Sequence, residues 1–268
     1  MRMKVPVAIA SLLFLGTSCD LIDYHPYDGK TNGTKRVNEW NALKIHNICQ
    51  TRDTVRFVFM GDTQRWYDET VSFVNHLNQR GDVDFVIHAG DISDFGMTNE
   101  FEWVHSIMNK LHVPYVALLG NHDVIGNGIN IFRSIYGPYN FSFLAGKTKF
   151  VCLNTNALEF DYSIPVPDFG FITTEIEDDE REYDRTIVAM HVQPYADQFN
   201  NNVAQPFQHY LNMLRNLQFC LHGHTHRLSE EDIFGDGVIY YGCAAMKDKN
   251  YLFFTLTPDG YEYEVVYY

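Results

Sequence analysis

The sequence predicts an α/β fold, and three observations predict it. Strand-like apolar runs alternate with helical periods through the first half of the chain. Glycine-led polar clusters follow directly on several of those runs. The 268 residues are 46% hydrophobic, enough for one sizeable core. Taken in order, 55–60 (VRFVFM) is a buried strand. The stretch 68–81 sets Val71, Val74 and Leu77 on one helical face and stops at Gly81. A strand at 83–89 follows, then a helix at 98–112 with Phe101, Val104, Met108 and Leu111 inward and Thr98 as its cap. The run 114–119 is a third strand. Strand, helix, strand, helix, strand is the signature of parallel βαβ units.

The second half carries more strand than helix. Runs 141–145 and 149–154 flank Gly146-Lys147-Thr148 as a hairpin, and 186–190 is a strand. The stretch 205–217 is helical, with Phe207, Tyr210, Leu211 and Leu214 inward. Strands are expected at 218–221, 237–243, 251–257 and 261–268. Residues 157–184 show little pattern, and the charge run 175–184 reads as a solvated surface turn or short helix.

The N-terminus is a separate segment. Arg2 and Lys4 precede an apolar stretch at 5–15, too short to span a bilayer comfortably, and Gly16-Thr17-Ser18-Cys19 follows. Small residues before a cysteine resemble a bacterial lipoprotein cleavage box, although Gly16 stands where that pattern usually has Leu. The resemblance implies a signal peptide over 1–19, a lipidated Cys19, and export to a bacterial envelope membrane, periplasmic or cell-surface. Residues 20–54 then form a tether and a short N-terminal segment, with a weakly amphipathic helix at 37–49, and 55–268 form the main domain. Of the other cysteines, Cys152 and Cys220 lie in apolar runs and read as buried free thiols. Cys49 and Cys243 are left open between packing and bridging. The net charge of −14 disfavours polyanionic partners, so no nucleic acid is expected.

The chemistry lies in five clusters, each just past an apolar strand: 61–64 (GDTQ), 90–94 (GDISD), 120–123 (GNHD), His191, and 223–226 (GHTH). In an open α/β sheet, sites form at the carboxyl ends of strands, so these loops can converge. Carboxylate, amide oxygen and imidazole together suit divalent transition ions of intermediate hardness. Gly61, Gly90, Gly120 and Gly223 let the chain turn off each strand end. His224 and His226, two apart on an extended segment, face the same side.

Five such pieces in this order resemble the signature of the calcineurin-like metallophosphoesterases over residues 61–226. The resemblance implies two packed mixed sheets flanked by helices, a four-layer sandwich, with two divalent metal ions (Mn, Fe or Zn) at one edge. It implies Asp62, Gln64 and His226 as ligands of the first ion, Asn121, His191 and His224 as ligands of the second, and Asp91 as the bridge. His122 is similar to the family's histidine that contacts phosphate and protonates the leaving oxygen. Asp94 resembles the residue that orients it, and Asp123 supports the loop. Gln64 stands where His is usual, and a neutral, harder amide oxygen favours Mn or Fe over Zn. The implied activity is hydrolysis of phosphoesters by a hydroxide held between the ions, on a small-molecule or lipid-linked substrate. A degenerate metal-binding surface lipoprotein, a pyrophosphatase and a nuclease of the same superfamily are the alternatives. His88 reads as structural or second to the ligands, and His76, His105, His112, His209 and His222 as surface or core positions. Trp66, Tyr67, the stretch 136–143 and Tyr195 divide between stacking on substrate and ordinary packing.

Overall fold

The computed structural model describes residues 29–31, 33, 35–160, 163–178 and 182–268. The expected leader, Cys19 and the first part of the tether lie outside the described residues, as do positions 179–181 of the charge run.

Two mixed sheets pack face to face. The helices are α1 (Val37–Cys49), α2 (Tyr67–Arg80), α3 (Thr98–Met108), α4 (Gly128–Ile135), α5 (Phe169–Ile176) and α6 (Ala204–Leu211). The strands are β1 (Val55–Met60), β2 (Phe85–His88), β3 (Tyr115–Ala117), β4 (Phe141–Ala145), β5 (Thr148–Leu153) and β6 (Arg185–Met190). They continue with β7 (Leu217–His222), β8 (Ser229–Glu231), β9 (Ile239–Gly242), β10 (Asn250–Thr257) and β11 (Gly260–Tyr267). One sheet runs β11-β10-β1-β2-β3 and the other β4-β5-β6-β7-β9-β8. The β1–β2, β2–β3, β5–β6, β6–β7 and β7–β9 pairings are parallel. The β1–β10, β10–β11, β4–β5 and β8–β9 pairings are antiparallel.

Strand periodicity explains the layers. Odd-numbered Phe57 and Phe59 of β1, with Phe85 and Ile87 of β2, face inward and meet Phe150, Ile187, Phe219 and Phe254 between the sheets. Phe57 stacks on Phe85 and Phe254, with ring centroids 5.3 and 5.0 Å apart, and meets Phe150 edge-on at 5.1 Å. Even-numbered Val58 and Met60 face outward onto Phe73, Phe101, Val104 and Ile131 of α2, α3 and α4. On the opposite side, Val151, Val188 and Cys220 pack under Ile172 of α5 and Phe207 of α6. All four described cysteines are buried free thiols. No described helix is long and apolar enough to cross a membrane.

Several local details differ from the sequence reading. In α2 the buried stripe is Thr70, Phe73, Val74 and Leu77, and Val71 is exposed, because steps of three alone drift off the 3.6-residue period. Met97, not Thr98, takes the N-cap position of α3, and the Glu100 carboxylate accepts the backbone N–H groups of Phe95 and Met97. Leu111 lies beyond the end of α3, and α6 ends at Leu211. The stretches 124–148 and 157–184 hold two helices that the sequence did not announce, α4 and α5. The α5 helix starts at Asp168, whose side chain accepts the Phe171 N–H at 3.1 Å. The helix at 37–49 does more than lie on the surface. Its Asn38 amide both donates to and accepts from Ala117 of edge strand β3, at 2.8 Å each, and Asn41 donates to Tyr115 O at 2.8 Å. The open edge of β3 is thereby satisfied by side chains instead of another strand.

Candidate metal centre

The parallel strands of both sheets point their carboxyl ends at one place. Asp62 follows β1, Asp91 follows β2, Asn121 follows β3, His191 follows β6 and His224 follows β7. The loops are tied to each other by backbone: Asp62 N donates to Gly90 O at 3.0 Å, Gln64 N to Asp91 O at 3.1 Å, and Gly223 N to His191 O at 3.0 Å. Crowding explains two glycines here. A Cβ on Gly120 would sit 2.0 Å from Asp91 N, and Gly90 holds φ 98 with His191 Nδ1 only 2.8 Å from its own missing Cβ.

The side chains converge. Ligand atoms of buried Asp62, Asp91 and His191 all lie within 4.8 Å of one another. His191 Nε2 lies 3.3 Å from Asp91 Oδ1 and 3.1 Å from Asn121 Oδ1. His224 Nδ1 lies 3.0 Å from the same Asn121 oxygen, and His226 Nε2 3.1 Å from Asp62 Oδ1. Gln64 Nε2 donates to Asp91 Oδ2 at 3.1 Å, while Gln64 Oε1 is buried without a hydrogen-bond partner. All seven expected ligand positions therefore border one small volume.

This arrangement demands positive charge. Both carboxylate oxygens of Asp62 are buried; Oδ2 has no partner, and Oδ1 has only the His226 ring nitrogen at 3.1 Å, out of hydrogen-bond alignment, which is costly for an anion. The His191 Nδ1–H donates to Ala89 O at 2.7 Å, so the lone pair of Nε2 faces the oxygens of Asn121 and Asp91. Without a proton or a cation between them, these atoms repel. Burial alone would lower His191, but the Asp91 and Asp62 carboxylates outweigh it and hold the ring protonated in the metal-free protein. Burial would likewise raise Asp91, and the His191 charge outweighs it and holds the carboxyl low. His226 is raised by its contact with Asp62. A divalent cation replaces such protons directly, so the donor set fits a metal centre.

His122 stands beside the cluster. Its N–H donates to Asp91 Oδ1 at 3.0 Å, and its ring Nδ1–H donates to the main-chain carbonyl of Asp94 at 2.9 Å. The Asp94 carboxylate is farther, 3.7 Å from that nitrogen, and accepts from Nε and Nη2 of Arg65 at 2.7 Å each. The backbone of Asp94, rather than its carboxylate, thus makes the close contact that orients the ring. Asp123 supports the loop as expected in type: its oxygens accept from Ile92 N, Ser93 N, Ser93 Oγ and Gly120 N at 2.8–2.9 Å. His88 is buried between Thr63 Oγ1 at 2.9 Å and Gly90 N at 3.2 Å. His222 is a core position, and Trp66, Tyr67 and Tyr136 are taken up by packing.

Two neighbours escaped the sequence reading. Arg65 directly follows Gln64, but nothing in the sequence aims it at Asp94. Asp197 lies in an unpatterned loop and accepts from His224 Nε2 at 2.8 Å. Only the contact itself reveals either.

Comparisons with known proteins give the family and the fold. The family model described as calcineurin-like phosphoesterase matches residues 55–228. A probable cyclic nucleotide phosphodiesterase of Xenorhabdus bovienii is 23% identical over 147 residues, covering 55% of this chain and 57% of that protein. The chain thus spans little more than half the length of that relative. Among solved structures, a dimetal phosphatase from Danio rerio superposes with a TM-score of 0.62 at 13% identity, covering 80% of this chain and 99% of that one. Purple acid phosphatase PPD1 from yellow lupin gives 0.59 at 14% identity, covering 79% of this chain and 51% of that one. At such identities the structural likeness concerns the fold alone, two mixed sheets flanked by helices. The family match spans more than half of the chain, and this protein belongs to the calcineurin-like phosphoesterases.

Proposed function

We propose that this chain is a two-metal hydrolase of small phosphoesters. The observation that carries the reading is the buried Asp62 carboxylate, without a hydrogen bond, facing a cluster of further donors from both sheets. Asp62, Gln64 and His226 would hold one divalent cation, Asn121, His191 and His224 the other, and Asp91 both. Two such cations supply Lewis acidity to the phosphoryl oxygens and lower the pKa of water. The chain does the rest. The His122 N–H and ring flank Asp91, so an ester bound at the cluster lies against the imidazole. With Nδ1–H donating to Asp94 O, Nε2 of the imidazolium form would deliver its proton to the departing oxygen as the P–O bond breaks, while water joins phosphorus through its oxygen and releases one proton to solvent. Arg65 neutralises Asp94 beside this histidine.

Diesters rank ahead of monoesters in this reading, because the X. bovienii relative is named a probable cyclic nucleotide phosphodiesterase. The net charge of −14 sets nucleic acid behind small esters. The test is release of nitrophenol from p-nitrophenyl phosphate and its bis-ester, in Mn, Fe(II) or Zn, before and after chelation. Metal-dependent turnover, faster on the bis-ester and in Mn or Fe(II), is expected. Absence of turnover on either ester in every metal would point to the degenerate binding lipoprotein instead.

The reading extends to location. The basic start, apolar stretch and small residues before Cys19 support a lipid anchor on an exported protein. Cys19→Ser should move the protein from the membrane to the soluble fraction of the envelope; an unchanged membrane share would refute the anchor.

A further inference from the structure

Both imidazoles that share the Asn121 oxygen have their outward nitrogen engaged by an acceptor. For His191 the acceptor is Ala89 O, a main-chain group fixed by the sheet. For His224 it is the carboxylate of Asp197, 2.8 Å from Nε2. That carboxylate is 84% exposed, yet its position is not loose. It accepts its neighbour's N–H, from Gln198, at 3.0 Å. Asn201 then braces the turn around it, donating to Ala196 O at 2.9 Å and accepting from Tyr195 N at 2.8 Å. Tyr195 holds φ 68 within this turn, so the bracing offsets a backbone conformation that a non-glycine residue adopts rarely. His224 itself holds φ 66.

We propose that Asp197 is a positioning residue for the metal centre. By accepting the Nε2–H of His224 it fixes the tautomer whose lone pair lies on Nδ1, the nitrogen turned toward Asn121 Oδ1. A carboxylate behind an imidazole also strengthens it as a donor, and such partners govern metal affinity by roughly 10- to 100-fold. An exposed ion pair contributes little to folding, so the effect falls on metal affinity and not on the fold. This inference rests on the two-cation reading, and it concerns only the half of the cluster that His224 serves.

The test is titration of Mn(II) into metal-free wild type, Asp197→Ala and Asp197→Asn, followed by calorimetry, with thermal unfolding of each metal-free protein alongside. Wild type should take up two ions. In Asp197→Ala one ion should bind roughly 10- to 100-fold more weakly and the other within about twofold of wild type. Asp197→Asn keeps an acceptor without the charge and should fall between. The metal-free unfolding midpoints should agree across the three proteins. Two ions bound by Asp197→Ala as tightly as by wild type, or both weakened equally, would overturn the role of Asp197. Fewer than two ions in wild type would overturn the two-cation reading, and this inference with it.

Discussion

Asp62, Asp91, His224 and His226 all hold left-handed backbone, with φ of 53, 54, 66 and 54. Each such residue costs on the order of 1–3 kcal/mol and persists only where its surroundings enforce it. Here the strain aims donors off strand ends into one volume. In the proposed reaction His122, outside that set, delivers a proton and holds no metal. His122→Asn should therefore keep the metal content of wild type and lower kcat by about 10²–10⁴-fold on an ester with a poor leaving group. Unchanged turnover would remove it from the reaction. His88 sits behind the cluster, where burial pushes it down to about 3, and burial likewise pushes His222 down to about 4. Unfolding frees both rings to an ordinary value near about 6.5. The unfolded chain therefore binds more protons once the pH falls below that value, and stability drops with pH by up to about 1.4 kcal/mol per unit for each ring. Urea unfolding of metal-free wild type and His88→Gln between neutral and mildly acidic pH checks this. The variant should show the shallower decline, and equal slopes would contradict the assignment.

At the scale of elements, β1, β2, β3, β6 and β7 were readable because each belongs to an apolar run with polar residues just past it, led by glycine after every one but β6. Their order along the chain, with motifs at their ends, made the convergence readable as well. Other elements were not. The α4 and α5 helices are only eight residues long, and their glycine, isoleucine and threonine residues have low helical propensity, while β8 is a three-residue, mostly exposed strand whose sequence is Ser-Glu-Glu. The task of α1 was hidden because it depends on two asparagines meeting an edge strand 74 to 79 residues away. Asn38→Ala removes the partners of the Ala117 N–H and C=O in a buried place. It should destabilise the protein by about 1–3 kcal/mol in urea unfolding. A loss below experimental error would mean that the β3 edge does not need α1. Asn121 lies just past β3, so the same variant should also bind the second ion more weakly.

Across the whole molecule, two sheets bring different halves of one centre. The first supplies Asp62, Gln64, Asp91 and Asn121, and the second supplies His191, His224 and His226. Neither sheet alone holds a complete donor set, so packing of the Phe57–Phe85–Phe150–Phe254 cluster between them governs the spacing of the site. The family signature picked out side chains that converge because it is written at strand ends. It could not recover Arg65 or Asp197, whose roles arise from contacts between loops. The most direct check is anomalous diffraction from a crystal soaked in Mn(II). Two peaks about 3.5–4 Å apart, with Asp91 between them, are expected. A single peak, or none within reach of Asp62 and His191, would contradict the account.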